Sequence, residues 1–463
     1  MVGAGLAGLL AGRVLARRFE RVTLVDRDEL PRDVRFRKGV PQGRHLHSLA
    51  TRGSELLERL FPGLDAELGA AGAPLLDQTA DTITEMPAGR MPRFRSGITM
   101  RAASRPLLET KIRDRLLGEP NVRFVTGTEV AGLLSDGVRV AGVRTRGRGV
   151  RSGEPGALAA DLVLDASGQG SHSPRWLSEL GYRAPRETVV DAGLGYASRW
   201  YRVPAGFDED WLSLAVLPGW PDNPRGGTLR QVEGGLWTAV LTGSGGDCPP
   251  TDPAGFLEFA ASLPSRILYE ALSGAEPVSP VYGYRRTANR RLHYERMDLP
   301  PGFLVMGDAA TTLNPSYGTG MTAAALSAGA LEECLEELGH GRRVLSRLGR
   351  RFHKRQVKAV SPCWTTTTSN DAQWAATGVE CLNAPRRLAH GVSEQVMALA
   401  TQSPETVRTM FEVKNVLRSP AAMLRPGIFG PALWRSLSGP RRAAKPPVAP
   451  RGVSANNGAS RSG

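Results

Sequence analysis

Lysine is scarce in this chain: only six of its 59 basic residues are Lys, and the other 53 are Arg. Cysteine is scarcer still. Cys248, Cys334, Cys363 and Cys381 are the only four, and they lie far apart with no C-x-x-C pair and no short Cys/His spacing, which excludes a disulfide framework and a structural zinc site. Free thiols in a reducing compartment are what remains. Aromatic residues make up 6% of the chain, and the arginines are scattered rather than gathered into a stripe with interleaved aromatics. The net charge of +14 therefore reads as Arg-rich codon usage of a GC-rich genome and not as a nucleic-acid face, although a basic surface can still attract an acidic partner or an anionic cofactor. There is no run of about 18 apolar residues and hence no candidate transmembrane helix. The first residues also lack the charged region, apolar core and small-residue cleavage site of a secretory signal, so a cytoplasmic location is expected.

With 41% apolar and 22% charged residues over 463 positions, the composition is that of a globular protein long enough for two or three domains. Val2 runs into Gly3-Ala4-Gly5-Leu6-Ala7-Gly8, and apolar residues then recur at helical spacing to about residue 18. Arg21-Val-Thr-Leu-Val-Asp26 reads as a buried strand ending in an acid. Residues 48–60 read as a helix, 75–100 as mixed with short strands, and 105–117 as an amphipathic helix with Pro106 near its start. Strands follow near 122–125, 129–134, 138–145 and 161–165. From 190 to 290, β-rich runs (Tyr196 to Val203, Leu212 to Leu217, Leu236 to Leu241) alternate with turns and one helix near 253–262, as in a separate inserted sheet. The chain returns to a buried strand at Phe303-Leu-Val-Met-Gly-Asp308, continues as an Ala-rich helix over about 319–337, and is helical over most of 340–436.

Two constellations carry chemistry. In the first, strand, glycine turn, helix, strand and acid follow one another in βαβ order. Gly3 permits the tight turn, Gly5 lets the backbone approach a pyrophosphate, and Gly8 allows close packing of helix on strand, while the helix N-terminus offers positive dipole to phosphates. Asp26, 18 residues beyond Gly8, can accept both hydroxyls of an adenosine ribose. The first strand should precede Gly3 by four to six residues, yet only Met1 and Val2 stand there. It is either a stub or a strand whose start lies upstream. In the second constellation, Gly307-Asp308-Ala309-Ala310 leads to Asn314-Pro315-Ser316-Tyr317-Gly318-Thr319-Gly320-Met321 and a helix. Asp308 at a strand end can bind a ribityl hydroxyl, and the glycine turn offers backbone N–H groups to the pyrimidine edge of a reduced flavin. Two such turns some 300 residues apart suit one long dinucleotide clamped at both ends, and FAD is the expectation.

These motifs, with Arg105-Pro-Leu-Leu and Asp165-Ala-Ser-Gly168-Gln-Gly170-Ser171 between them, resemble those of the group A flavoprotein monooxygenases of the para-hydroxybenzoate hydroxylase fold. Arg37-Lys-Gly-Val-Pro-Gln-Gly-Arg44-His45-Leu-His47, Asn289-Arg-Arg-Leu-His-Tyr294 and Asn314-Pro-Ser-Tyr-Gly look more narrowly like the bacterial flavin epoxidases of polyether and polyketide antibiotic pathways. The likeness spans roughly residues 1–435. It implies an α/β chain with a Rossmann-type FAD-binding domain in three parts, 1–75, 101–185 and 291–340; substrate-domain strands at 76–100 and a substrate-binding sheet domain at 186–290; and a helical region at 341–437. The tail at 438–463, rich in Pro, Arg, Ala, Asn, Ser and Gly, is expected to be disordered on its composition. By the same resemblance Arg44, His45, Pro315, Gly318 and Gly320 lie beside the flavin, Arg105 reaches toward its phosphates or ribityl chain, Val130 meets the adenine through its backbone, and Met321 adjoins Gly320 at the ring. Asp165-Ala166 departs from the Asp-Gly of many hydroxylases, which leaves nicotinamide handling open, and no Trp-x-Trp-x-x-Pro segment of a flavin halogenase is present.

What the resemblance implies for activity is reduction of FAD by NADH or NADPH, addition of O₂ to give a C4a-hydroperoxide, and transfer of one oxygen to an apolar small molecule, free or tethered to a carrier protein. Because the flavin carries the hard chemistry, no nucleophile, general base or metal is required, and no Ser/His/Asp set or metal cluster is visible. His45 and His47 are read either as flavin-facing groups or as turn-stabilising ones, and His172 and His293 as structural. Trp200, Tyr201, Trp211 and Trp237 are read either as lining an apolar pocket or as core aromatics of strands. The rival readings are a flavin-dependent hydroxylase, a polyprenyl-type reductase and a non-catalytic flavin-fold binding protein. Peripheral membrane contact through Val416 to Leu437 is also considered, with Pro420, Pro426 and Pro431 expected to break any long helix there.

Overall fold

The computed structural model describes residues 1–147, 153, 155–339, 342–374 and 384–438. The Pro- and Arg-rich tail from 439 onward and Cys381 lie outside these. Strand Val22–Val25 pairs in parallel with Val122–Val125, and Val163–Asp165 with Phe303–Val305. Val2 stands between the two pairs, in parallel bridges with Val25 and Asp165. Its N–H donates to Leu164 O at 2.9 Å and its carbonyl accepts from Ala166 N–H at 2.8 Å, while Gly3 N–H donates to Val25 O at 2.7 Å. Val2 thus occupies the central position of the layer, between the two pairs. Val163–Asp165 and Phe303–Val305 are buried throughout because both faces of the parallel layer are covered there, while the outer strand Val122–Val125 carries the exposed Arg123.

On one face the helix Leu6–Ala16 packs against the helix Gly320–Leu338. The small side chains Ala324, Ala325 and Ala328 let the two approach, and they share one core with Leu6, Leu9, Leu10, Leu331 and Leu335. The helix Arg105–Leu117 runs over the span read from its periodicity, with Ser104 as N-cap accepting the Leu107 N–H at 3.2 Å. Three short helices that the sequence did not announce, Leu64–Ala70, Ser173–Glu179 and Ile267–Ser273, are two turns long or less, too brief for a period to show.

The second layer is a seven-stranded sheet in the order Tyr282–Tyr284, Gly195–Arg202, Leu236–Gly243, Arg225–Val232, Ser213–Val216, Thr82–Met86, Gly89–Arg90. Thr82–Met86 joins it in parallel beside Ser213–Val216, so the segment near residue 85 completes a sheet built mostly from residues beyond 190. The period of two divides its faces. Trp237, Ala239, Leu241 and Leu229 bury with Tyr201, Trp211, Phe256 and Leu268 beneath the helices Pro253–Ala261 and Ile267–Ser273, while Val240, Thr242, Thr228 and Arg230 face a large cavity. The aromatics weighed as pocket walls are thereby accounted for: Trp211 stacks on Trp237 with centroids 5.5 Å apart in that core, and Trp200 donates its indole N–H to Arg44 O at 2.8 Å. None of the four borders the cavity.

Helices Arg342–Trp374, Ala384–Ala400, Pro404–Lys414 and Pro426–Ser438 close the molecule over that cavity. Pro404 and Pro426 sit at first-turn positions, where a missing N–H costs little. Pro431, expected to interrupt a helix, lies inside Pro426–Ser438. Among the described residues no helix is long and apolar enough to cross a membrane.

Candidate functional site

A cavity of about 1890 Å³ runs from the first glycine turn to the second and on into the space between the seven-stranded sheet and the closing helices. Of the residues singled out in the sequence, Gly3, Gly5, Asp26, His45, Arg105, Val130, Asp308, Pro315, Gly318, Gly320 and Met321 all border it. Segments up to 318 positions apart in sequence, Gly3 and Met321, are thus brought to one wall. Gly8 and Arg44 are not on that wall.

The glycines divide by what a side chain would meet. Gly3 holds φ at +93° and its Cβ would lie 2.7 Å from Ala166 O, while a Cβ on Gly8 would fall 2.0 Å from Gly3 O. These two are required by the backbone itself. A Cβ on Gly5 would meet only the tip of Arg37 at 3.7 Å, and one on Gly320 would meet nothing within 4 Å. Both of these glycines open their backbone to the cavity, at the N-termini of the helices Leu6–Ala16 and Gly320–Leu338. Gly318, at φ +66°, turns the chain against Ser48.

Asp26 is buried, with Oδ2 accepting Ala4 N–H at 2.7 Å and Oδ1 accepting Asp28 N–H at 2.9 Å. Arg37 lies over the turn: Nη1 is 3.3 Å from Asp26 Oδ2 and 3.5 Å from Asp28 Oδ2, and Nη2 donates to Ala4 O at 3.0 Å. Burial works against its charge, but Glu109, Asp26 and Asp28 outweigh burial and hold its pKa above the ordinary value. Glu109 accepts Leu6 N–H at 3.1 Å and Arg105 Nε–H at 2.6 Å. Desolvation would raise its pKa, yet Arg105 and Arg37 bring it below the usual carboxylate value. A carboxylate thus rests on the N-terminus of the first helix with two guanidiniums beside it. The basic side chain over this turn is Arg37 and not Arg44, whose guanidinium stacks on the Tyr282 ring at 5.0 Å.

His45 and His47 are both held neutral. His45 Nδ1 is 2.9 Å from Ser198 Oγ, its ring meets Tyr196 edge-on at 4.7 Å, and burial followed by Arg44 brings its pKa down to about 4. His47 donates from Nδ1 to His45 O at 2.9 Å; burial followed by Arg105 brings it to about 3. Both rings hold the loop in place while bordering the cavity. His172 borders it too, whereas His293 bonds Thr188 and Glu295. Asp308 has its pKa raised by burial, with Arg105 opposing.

The second turn rests on a residue the sequence did not flag. Asp371, wholly buried on the helix Arg342–Trp374, accepts from Asn289 Nδ2 at 2.6 Å, Asn314 Nδ2 at 2.8 Å and Tyr317 OH at 2.7 Å. Asn314 N–H donates to Asn289 Oδ1 at 2.9 Å, and Asn314 Oδ1 accepts Ser316 N–H at 3.1 Å. Burial raises the Asp371 pKa against these three donors. Beside the turn, Thr319 Oγ1 is shielded from solvent and has no partner.

This arrangement fits FAD. Two helix N-termini with uncovered glycine backbone, Asp26 beyond the first glycine turn, Asp308 ahead of the second and an orphaned hydroxyl at the second turn are the donors and acceptors that a long dinucleotide demands. Among the described residues no group of three or more His, Cys, Asp or Glu is placed to hold a metal ion.

No protein-family model matches the chain. It is 32% identical over 420 residues to protein Rv3254 of Mycobacterium tuberculosis, covering 87% of this chain and 86% of that protein. It is 26% identical over 351 residues to the kynurenine 3-monooxygenase of Salinispora arenicola, covering 72% of this chain and 71% of that enzyme. Among solved structures, the flavin-dependent brominase Bmp2 superposes with a TM-score of 0.65 at 15% identity, over 94% of this chain and 96% of its own. PqsL, a probable FAD-dependent monooxygenase from Pseudomonas aeruginosa, superposes with a TM-score of 0.60 at 15% identity, over 81% and 97%. At these identities the structural likeness is one of fold.

Proposed function

The chain belongs to one family with protein Rv3254, within the FAD-dependent monooxygenases of the para-hydroxybenzoate hydroxylase fold, and from that premise we propose that it transfers one oxygen atom from O₂ to a largely apolar small molecule, most simply by epoxidising an alkene in natural-product tailoring. The observation that carries this reading is the continuity of the cavity. The space bordered by both glycine turns opens without interruption into a chamber walled by Met86, Val216, Leu217, Met397, Met410 and Phe411. A substrate held there lies against the second turn with water displaced.

FAD, when bound, supplies reduction by NADH or NADPH and activation of O₂. The chain's own residues have the simpler duties of binding, orienting and drying. Asp26 would take the adenosine ribose; Gly5 N–H, Arg37 and Arg105 the diphosphate; Val130 the adenine; and Asp308 the ribityl chain. The N–H groups beginning at Gly320 would face the pyrimidine edge, where positive helix dipole stabilises negative charge. His45 and His47, neutral throughout the physiological range by the directions of their shifts, add no competing charge. The apolar walls exclude water, which lengthens the life of a reactive oxidant.

The test supplies extract of a deletion strain to the purified yellow protein with NADPH and isotope-labelled O₂. The expected product carries one labelled oxygen and has lost an alkene. A product that gains hydrogen and no label sinks the reading in favour of a reductase, and a colourless protein without NADPH oxidation in favour of a flavin-fold binding protein. Gly320→Val probes the ring placement. A side chain in the open space at this turn is expected to slow anaerobic flavin reduction by NADPH at least about tenfold per mole of bound FAD, about 1.4 kcal/mol of barrier. An unchanged rate would remove the ring from residues 314–321.

A further inference from the structure

Resting on the monooxygenase reading above, we propose that Arg230 and Lys414 form an anion subsite in the chamber, and that the otherwise apolar substrate carries a carboxylate which they bind. Arg230 stands on the cavity face of the strand Arg225–Val232. It donates from Nη1 to Ser48 Oγ at 2.7 Å, with His47 O at 3.4 Å and Met100 Sδ at 4.0 Å. Its Nε is shielded from solvent and has no partner. Lys414, at the end of the helix Pro404–Lys414, opens onto the same cavity, its ammonium 5.2 Å from the centroid of the Phe411 ring. Among the described residues no carboxylate pairs with either cation, and both border the same cavity.

The pair is built in and not a stray surface feature. Asn415, next in sequence to Lys414 and buried, locks the helix end in place. Its Oδ1 accepts from Thr51 N–H at 2.9 Å and from Gln78 Nε2 at 2.8 Å, and its Nδ2 donates to Gln78 Oε1 at 3.1 Å. Val416 follows at φ +57°, a conformation that a β-branched residue adopts only when its surroundings impose it. Ser48, which holds Arg230, also abuts Gly318 of the second glycine turn. The subsite therefore lies one residue from the place proposed for the flavin's edge, at the inner end of an apolar chamber.

The electrostatics agree with the geometry. Burial brings Arg230 down to about 10, and burial followed by the neighbouring Arg230 brings Lys414 down to about 8. Two like charges held in a low-dielectric wall without a counter-ion disfavour each other, and an arriving carboxylate relieves both penalties while filling the open Arg230 donor. A neutral polyene offers nothing in return for this arrangement. A fatty or aryl carboxylate does, and its apolar remainder suits Met86, Leu217, Met397 and Met410.

The test uses the holoenzyme and three probe pairs: benzoate, 2-naphthoate and dodecanoate, each beside its methyl ester. Binding is read from perturbation of the flavin absorption band, and the pKa of Lys414 from isotope-labelled dimethyl-lysine resonances, which six lysines make resolvable. At least one acid is expected to bind roughly 10–100-fold more tightly than its ester, the range that a charge-assisted hydrogen bond supplies, and to raise the Lys414 pKa. Arg230→Met should erase that preference, Lys414→Met reduce it, and neither should weaken ester binding. The proposal is overturned if no acid binds at millimolar concentration, if acid and ester bind alike, or if the preference survives both substitutions. It is equally overturned if Arg230→Met shifts the flavin reduction potential and leaves the preference intact, because the cation would then serve the flavin. A protein that binds the acids yet never transfers oxygen retires the monooxygenase reading alone.

Discussion

Asp26→Ala lowers FAD affinity by roughly 2–3 kcal/mol, the loss expected when charge-assisted hydrogen bonds to ribose hydroxyls are removed. The structure explains why this substitution should have two separable effects. Asp26 accepts the buried Ala4 N–H at 2.7 Å and helps to place Arg37, so the variant also leaves one backbone donor unsatisfied beside the glycine turn. That second loss costs about 1–3 kcal/mol of stability whether or not flavin is bound. Fluorescence titration of the stripped apoprotein with FAD reads the first effect, and denaturant unfolding of the same apoprotein reads the second. An unchanged FAD dissociation constant, even with reduced stability, would confine Asp26 to holding the turn.

The parts of the fold that were legible in the sequence are those governed by local chemistry. Residues 105–117 announced a helix because apolar positions recur at its period and Pro106 supplies a first-turn proline, and the helix spans Arg105–Leu117, with Ser104 as its cap. The glycine turns were legible for a related reason, since Gly3, Gly8 and Gly318 stand where a Cβ would strike backbone or a neighbouring side chain and Gly5 and Gly320 where it would strike almost nothing. The strand Thr82–Met86 could be read as a strand, but not its parallel seat beside Ser213–Val216, because register across some 130 residues is decided by which faces must be buried together and not by either segment alone.

Long-range partners were the illegible part of the site. Arg37 was one arginine among 53, and nothing near it in sequence reveals that Glu109 and Asp26 converge on its guanidinium from a helix and a strand. Arg44, with two histidines close by, drew attention in the sequence, while the side chain laid over the first glycine turn is that of Arg37, seven residues upstream. Arg230 and Lys414 gave no signal because an unpaired cation is defined by the absence of neighbours, which only the assembled fold shows. The strand alternation that placed Trp237 and Leu241 in the core also turned Arg230 toward the cavity, so the core pattern held the clue once the cavity's side of the sheet was known.

Asp371→Ala is expected to be the most damaging single substitution on the helical side of the site. It strips the acceptor from three donors at once, Asn289 Nδ2, Asn314 Nδ2 and Tyr317 OH, in a place where water does not reach the carboxylate. At about 1–3 kcal/mol for each buried donor left unsatisfied, a loss of roughly 3 kcal/mol or more of unfolding free energy follows. Tyr317→Phe removes one donor together with its need for a partner, and should cost about 1 kcal/mol. Asp371→Asn keeps the shape but turns an amide toward a ring of donors, so it should lie near the Ala variant and fail to rescue. Because Asn314 begins the turn that ends at Gly318, the loosened turn should also slow anaerobic flavin reduction per mole of bound FAD, a quantity that a fold held together elsewhere would leave unmoved. Chemical unfolding of the three variants and stopped-flow reduction of their folded fractions supply both readouts. An Ala variant within about 0.5 kcal/mol of the parent, the range of an ordinary surface change, would show that the turn stands without Asp371.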